Sequence, residues 1–92
     1  MNPIPELYAY MLRNMLNCSN EKKIITSYAL FKSMRKVIYK APKKVFREII
    51  REFSEDYNVL REINKTNFQI HLNNRVRKQL KRIHEYIFPI RI

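Results

Sequence analysis

The sequence predicts a small α+β domain that is mostly helical, with about four helices and one short β-hairpin. Two observations predict this class. Apolar residues recur at helical spacing along most of the chain, whereas strict alternation of apolar and polar residues occurs only from Phe68 to Leu72. The chain has 92 residues and is 46% hydrophobic, which is enough for one domain, residues 1–92, with a modest core.

The first helix is expected to begin at Pro5, because proline suits the opening helical position. Its apolar stripe has i, i+3, i+4 spacing and consists of Leu7, Tyr8, Met11, Leu12, Met15 and Leu16. The run 24–25 then indicates a minimal strand, and Thr26 or Ser27 is suited to capping a second helix. The buried positions expected in this second helix are Leu30, Phe31 and Met34.

The third helix is expected over residues 41–54, after a break from Val37 to Ala41, and Pro42 suits its start. At about 100° per residue, its apolar side comprises Val45, Phe46, Ile49, Ile50 and Phe53. The opposite side groups Lys40, Lys44, Arg47 and Arg51 within roughly 60° of one another. The helix therefore has one packing face and one cationic face.

A hairpin is expected next, with strands from Val59 to Ile63 and from Phe68 to Leu72. Residues 64–67 form its turn. The chain contains no glycine, so asparagine is expected at turn positions that need a left-handed backbone. The hairpin is the main β structure that the sequence predicts.

The last helix is expected over residues 73–88, capped by Asn73 or Asn74. Its apolar seam consists of Val76, Leu80, Ile83 and Ile87. One alternative is that this seam packs on the first helix of the same chain. The other is that it meets the same seam of a second chain, which predicts a homodimer. A second basic cluster on this helix comprises Arg75, Arg77, Lys78, Lys81 and Arg82.

The charge balance favours a polyanionic partner. Lysine and arginine number 19 against 8 acidic residues, which gives a net charge of +11 and a pI near 10.1. Residues 32–51 carry eight positive charges and one negative, whereas residues 52–62 carry four negative and one positive. Ribosomal, membrane-surface and secreted proteins share a high pI, and a run of lysine and arginine is most often a solvated face. These alternatives stay open.

Few residues are suited to catalysis, and neither catalytic nor metal-binding residues are predicted. Asp56 is the only aspartate, and Cys18, the only cysteine, is expected to pack as a small apolar residue. His71 and His84 lie far apart, and His71 is expected on the solvent side of its strand. Without glycine, no phosphate-cradling loop can form. No enzyme, cofactor or small-molecule ligand is therefore expected.

The sequence also predicts a location in the cell. No signal peptide is visible, and no stretch approaches the ~18 apolar residues that span a membrane. The single cysteine excludes an internal disulfide and fits a reducing interior. A cytoplasmic protein, or a nuclear one if the cell has a nucleus, without membrane association is expected.

The order of these elements resembles that of the winged helix-turn-helix family. The resemblance covers residues 24–72 and rests on IITSYALFKSM for the strand and supporting helix, APKKVFREIIREF for the recognition helix and VLREINKTNFQIHL for the wing. The chain differs from the family in the connection between the two helices, residues 36–40, which is longer and lacks glycine. The resemblance implies that the third helix enters the major groove and that the wing touches the backbone or minor groove.

Carried onto this sequence, the resemblance implies a double-stranded DNA-binding protein, and in particular a sequence-specific transcription regulator. The implied DNA-binding residues are Lys36, Lys40, Lys43, Lys44, Arg47 and Arg51 around the helix, and Asn64, Lys65 and Thr66 on the wing. Arg47 is the candidate for reading a guanine edge, since its guanidinium can bond O6 and N7 together. Lys43 and Lys44 are better suited to phosphate. Lys32 and Arg35 extend the patch.

Several alternatives accompany this hypothesis. Glu48 can accept a hydrogen bond from cytosine N4 or pair with Lys44, and the pairing is favoured. Tyr39 can contact phosphate or stack on a base, although packing is favoured for it, as for the other tyrosines. The rival functions are an RNA- or ribosome-associated basic protein and a protein-interaction module that uses the last helix.

Overall fold

A computed structural model describes residues 4–87, with side chains described for residues 4–82. The elements follow in the order α1 (Glu6–Asn17), β1 (Ile24–Thr26), α2 (Ser27–Arg35), α3 (Lys43–Glu55), β2 (Leu60–Asn64), β3 (Asn67–Ile70) and α4 (Asn74–Ile87). This is a small α+β domain with four helices and a three-stranded antiparallel sheet, which confirms the predicted fold class. The layout is compatible with a winged helix. Within this described part, no helix has the length and apolar character needed to cross a membrane.

The sheet has the strand order β1-β3-β2, so the first strand joins the hairpin. Ile25 lies opposite Phe68, and Leu60 lies opposite Ile70. The sequence predicted the short strand and the hairpin separately, and the structure unites them. The first hairpin strand is shifted by one residue, since β2 runs from Leu60 to Asn64. The second is shorter than predicted, since β3 begins at Asn67 and already ends at Ile70.

Apolar side chains from α1, α2, α3 and the sheet form one core. Its fully buried members include Met11, Leu12, Met15, Leu30, Met34, Phe46 and Phe53. The predicted packing faces were wrong at two positions, because Leu7 is 48% exposed and Val45 is 38% exposed. Each of these residues lies in the first turn of its helix, at the edge of the core. In α1, Ala9 is fully buried instead.

The helix starts are defined by their capping residues. Pro5 and Pro42 are N-caps rather than the first helical residues, and neither supplies a side-chain hydrogen bond. At α2 the Thr26 hydroxyl oxygen accepts a hydrogen bond of 3.2 Å from the backbone N–H of Ala29. At α4 the side-chain oxygen of Asn73 accepts one of 2.8 Å from the N–H of Val76. The structure thus selects Thr26 over Ser27 and Asn73 over Asn74.

Within residues 4–87 of this glycine-free chain, three residues adopt a left-handed backbone. Asn58, with φ of 53°, matches the expectation that asparagine fills such positions, but Lys23 and Lys40 have φ of 63° and 61°. Lys40 therefore belongs to the connection between α2 and α3. Its predicted place on the cationic face of the third helix was wrong, because α3 begins only at Lys43.

The last helix packs against the rest of the same chain. Val76 and Leu80 are 2% and 6% exposed and belong to the common core. The Gln79 side chain forms two hydrogen bonds with the backbone of Ile4. Its oxygen accepts one of 3.0 Å from the Ile4 N–H, and its amide N–H donates to the Ile4 carbonyl. This placement matches the intrachain alternative. It corrects the dimer hypothesis for Val76 and Leu80, which are not free to meet a second chain.

The remaining seam residues, Ile83 and Ile87, have side chains outside the described part. The last helix is described as far as Ile87, and residue 88 of the predicted range lies outside the described residues. The dimer itself therefore stays a prediction.

Candidate nucleic-acid interface

A concave groove of about 500 Å³ lies between the outer face of α2 and the first two turns of α3. Its lining residues are Tyr28, Phe31, Lys32 and Arg35 from α2, and Lys43 and Arg47 from α3. The i, i+4, i+7 spacing of Tyr28, Lys32 and Arg35 places them on one side of α2, while Leu30 and Met34 point into the core. Four of the six lining side chains are cations, and none is a carboxylate.

A second concavity of about 410 Å³ continues this surface along the connection between α2 and α3. It is lined by Arg35, Tyr39, Lys40 and Ala41, so Arg35 is shared by both. We call the two concavities together the basic groove. Lys40 thus lines the groove from the left-handed connection between α2 and α3, and not from a face of α3 as predicted. Lys36 and Lys44 are exposed, but they do not line the groove.

Ion pairing distinguishes Arg51 from the groove cations. Its guanidinium lies 3.2 Å from a carboxylate oxygen of Glu48 and 3.2 Å from one of Glu55, and its hydrogen bonds to both raise the pKa of Arg51. The predicted pairing of Glu48 with Lys44 was therefore wrong. Among the described residues these are the only ion pairs, so Lys43 and Arg47 remain without a counter-charge.

The charge order within α3 opposes the helix dipole. The first turn carries Lys43 and Lys44 but no acidic residue, and the last turn carries Glu55 but no basic residue. Carboxylates are favourable at the start of a helix and cations at its end, each by about 0.3–1 kcal/mol. Stability of the helix therefore does not account for this arrangement, whereas an anionic ligand at the start of α3 would offset its cost.

The turn of the hairpin, residues 64–67, is stabilised by hydrogen bonds of its own side chains, and we call it the wing turn. The Asn64 side-chain oxygen accepts hydrogen bonds of 2.9 Å from both the backbone N–H and the hydroxyl of Thr66. It also accepts one of 3.3 Å from the side-chain amide of Asn67. Of the three predicted wing residues, Asn64 and Thr66 thus stabilise the turn, and Lys65 is left as the exposed cation.

The turn also contacts the start of α2. The Ser27 N–H donates a hydrogen bond of 2.8 Å to the Thr66 carbonyl, and the Ser27 hydroxyl donates one of 3.0 Å to the Lys65 carbonyl. Since Tyr28 is the next residue of α2, the wing turn adjoins one end of the basic groove. The backbone of Lys65 thus contacts the residue that precedes Tyr28 of the groove.

Two tyrosines of the basic groove are more exposed than the sequence predicted. Tyr28 is 76% exposed and Tyr39 is 80% exposed, although packing was favoured for both. Each ring has a lysine ammonium near its face, with Lys32 Nζ 5.8 Å from the Tyr28 centroid and Lys40 Nζ 5.5 Å from the Tyr39 centroid. A signal for Tyr28 was present, since it shares the helical spacing of Lys32 and Arg35.

Part of the basic cluster on α4 forms a separate surface. Arg75, Lys78, Gln79 and Arg82 line a concavity of about 380 Å³. The three cations have i, i+3, i+7 spacing and therefore share one side of the helix. Among the side chains described up to residue 82, no aromatic ring lines this surface, in contrast to the basic groove.

Two residues weighed for catalysis or metal binding, His71 and Cys18, differ from their expected positions. Nε2 of His71 is buried with no hydrogen-bond partner among the described residues, so its expected position on the solvent side was wrong. Cys18 is exposed at the end of α1 rather than packed. No group of three histidine, cysteine or acidic side chains is placed to hold a metal within the described residues. The His84 side chain lies outside them.

Comparisons with known proteins give no relative on which a function can be based. No family model, no curated protein and no solved structure matches this chain.

Proposed function

We propose that this protein binds double-stranded DNA through the basic groove and the wing turn, as a sequence-specific transcription regulator. One observation carries the proposal. Lys32, Arg35, Lys43 and Arg47 converge on one concave surface, and no carboxylate from the described part of the chain lines it. A polyanion that follows this surface meets uncompensated positive charge along its length.

The proposed docking follows the winged-helix arrangement. The first two turns of α3 enter the major groove, and Lys65 on the wing turn meets the sugar-phosphate backbone. Phosphate contacts supply most of the affinity, so binding weakens steeply as salt rises. Lys43 binds phosphate, and Arg47, one turn farther along α3, reads a guanine edge through O6 and N7.

The location of Arg51 revises one part of the hypothesis. Because its guanidinium donates to Glu48 and Glu55, it has fewer donors available for phosphate than Arg47 has. We therefore assign the DNA contact of α3 mainly to Lys43 and Arg47. Arg51 serves to hold the two carboxylates.

Arg47→Ala and Arg51→Ala form a matched pair that tests this assignment, since each removes one arginine from the same helix. Arg47→Ala should weaken binding to the preferred sequence by roughly 1–3 kcal/mol and relax specificity at one base position. Arg51→Ala should weaken binding less and leave specificity unchanged. Equal losses on preferred and random duplexes for Arg47→Ala would exclude base reading by this residue.

The proposal as a whole is tested by binding to a pool of random duplexes at two salt concentrations, followed by sequencing of the retained fraction. An enriched motif supports a sequence-specific regulator, and a two-fold symmetric motif supports the predicted homodimer. Salt-sensitive retention without a motif would indicate a general nucleic-acid coater. If nothing is retained, the proposal fails.

Structured RNA is the second candidate ligand, and the two exposed tyrosines favour it, because unpaired bases stack on aromatic rings. Competition between duplex DNA and structured RNA for the same protein separates the two candidates. The interaction-module alternative loses support, because Val76 and Leu80 of the last helix are buried within the chain.

A further inference from the structure

We infer that the basic groove holds a short unpaired segment of DNA, so that the protein prefers a duplex with a single-stranded overhang to a blunt duplex. The inference rests on the proposed function and names the substrate class more closely. It starts from the exposure of Tyr28 and Tyr39, to which the proposed duplex binding assigns no role.

Tyrosine rings so exposed are suited to stacking on bases. In a duplex, each base is stacked on its neighbours, and the groove presents only base edges and phosphates to a protein. An unpaired base instead offers its whole face to an aromatic ring, and such stacking tolerates any sequence. Only an unpaired segment therefore uses both rings.

The length of the groove fits a few nucleotides. From Tyr28 to Arg35 the α2 helix advances about 10 Å, at about 1.5 Å per residue. That distance corresponds to about three nucleotides at a stacked rise of about 3.4 Å. Tyr39 lines the second concavity, which shares Arg35 with the first. The two rings therefore lie in adjoining concavities, with Arg35 common to both.

Cations lie beside both rings, where phosphates of the segment would pass. Lys32 and Lys40 lie within 6 Å of the Tyr28 and Tyr39 ring centroids, at 5.8 Å and 5.5 Å, and Arg35 lies between them in sequence. Phe31 adds an apolar contact within the groove, and its ring is fixed by an edge contact with Phe46, with centroids 6.3 Å apart. The groove thus offers rings for bases and cations for phosphates.

The test compares three DNA probes that share one duplex. The first probe is blunt, the second carries an overhang of about three thymidines, and the third carries the same overhang without bases. The thymidine overhang should raise affinity by about ten-fold over the blunt duplex, and the baseless overhang by much less, since it adds phosphates only.

Tyr28→Leu and Tyr39→Leu should each reduce affinity for the thymidine-overhang probe by a larger factor than affinity for the blunt duplex, so that the gain from the overhang shrinks. Both side chains are exposed, so folding should be unaffected. Tyr28→Phe and Tyr39→Phe keep the rings and should keep the gain.

The outcomes separate this inference from the proposed function. Equal affinity for blunt and thymidine-overhang probes, or an equal gain from the baseless overhang, would overturn the inference while the duplex still binds. Failure of all three probes to bind would overturn the proposed function and the inference with it.

Discussion

The hydroxyl of Ser27 donates a hydrogen bond of 3.0 Å to the backbone carbonyl of Lys65, 38 residues away in the sequence. The N–H of Ser27 donates to the neighbouring carbonyl of Thr66 at 2.8 Å. The first residue of α2 and the wing turn are thereby joined at two points. This joint holds the turn that carries Lys65 against the start of α2.

The first prediction concerns the joint itself. Ser27→Ala removes the side-chain hydrogen bond and keeps the backbone one, so it should lower the free energy of unfolding by about 0.5–1.5 kcal/mol. Exchange of the Thr66 amide hydrogen should become faster, because the turn loses one support. Urea unfolding and hydrogen exchange measure the two effects.

Ser54→Ala is the control for this prediction. The Ser54 hydroxyl donates to the Ile50 carbonyl at 2.9 Å within α3, and that bond is local. Its removal should leave exchange at the wing turn unchanged. The role of Ser27 would be excluded if both variants affected the Thr66 amide equally.

The second prediction uses the conflict between charge and dipole in α3. Lys43→Glu places a carboxylate in the first turn, four residues before Arg47, and should raise the free energy of unfolding by about 0.5–1 kcal/mol. The same change should weaken DNA binding by about ten-fold or more at moderate salt, because one phosphate ligand is lost and a repulsive charge is gained. Stability and affinity should therefore move in opposite directions.

Lys65→Glu is its matched control, since it changes the net charge equally but lies in a turn. It should weaken DNA binding without the gain in stability. A similar gain for both variants would show that general charge repulsion, rather than the dipole of α3, limits stability.

The third prediction concerns the seam of α4. Leu80→Ala should lower the free energy of unfolding by about 2–4 kcal/mol, because Leu80 is buried in the core of its own chain. The exposed neighbour Lys81, replaced by alanine, should have little effect. Urea unfolding over a wide range of protein concentrations checks the origin of the loss. A loss that grows as the protein is diluted would instead place Leu80 in a dimer interface.

The fourth prediction concerns alkaline pH. Burial, together with the Glu52 carboxylate, raises the pKa of Tyr8 to about 12, whereas a tyrosine in the unfolded chain titrates near 10. Between these values the unfolded chain has released this proton and the folded chain has kept it. Stability from this source is therefore complete below about pH 10 and is lost as pH rises toward 12.

Tyr8→Phe should accordingly lose less stability than the natural sequence between about pH 9 and about pH 11.5. Lysine titration is common to both proteins and cancels in the comparison. Tyr39→Phe, at a highly exposed position, should follow the natural sequence. Parallel pH profiles for Tyr8→Phe and the natural sequence would contradict the prediction.

The helices and their caps follow from local sequence, and this part of the fold was predictable. The starts of α1 and α3 lie within two residues of the predictions, since proline marks both. The pairing of β1 with β3 was not predictable, because three residues carry too little pattern to indicate a partner more than 40 residues away. The left-handed Lys23 and Lys40 were also missed, since lysine gives no local signal for that conformation.

The candidate site was predictable in its charge and not in its detail. Helical spacing alone indicated the cations of α3. Glu48, however, lies within reach of both Lys44 and Arg51, and sequence does not decide between these two partners. The fork of the Arg51 guanidinium reaches two carboxylates at once, which decides the pairing of Glu48. The exposure of Tyr28 depends on how α2 meets α3, and such tertiary contacts lie beyond a single-helix pattern.

The separation of charge along α3 also has a consequence for kinetics. A molecule with cations at one end of a helix and carboxylates at the other is rotated by the field of a polyanion before contact, so the cationic end leads. More collisions then begin in a productive orientation, and association slows as added salt shortens the range of the field. In the proposed complex, Glu52 and Glu55 thus contribute to the rate of encounter without touching the DNA.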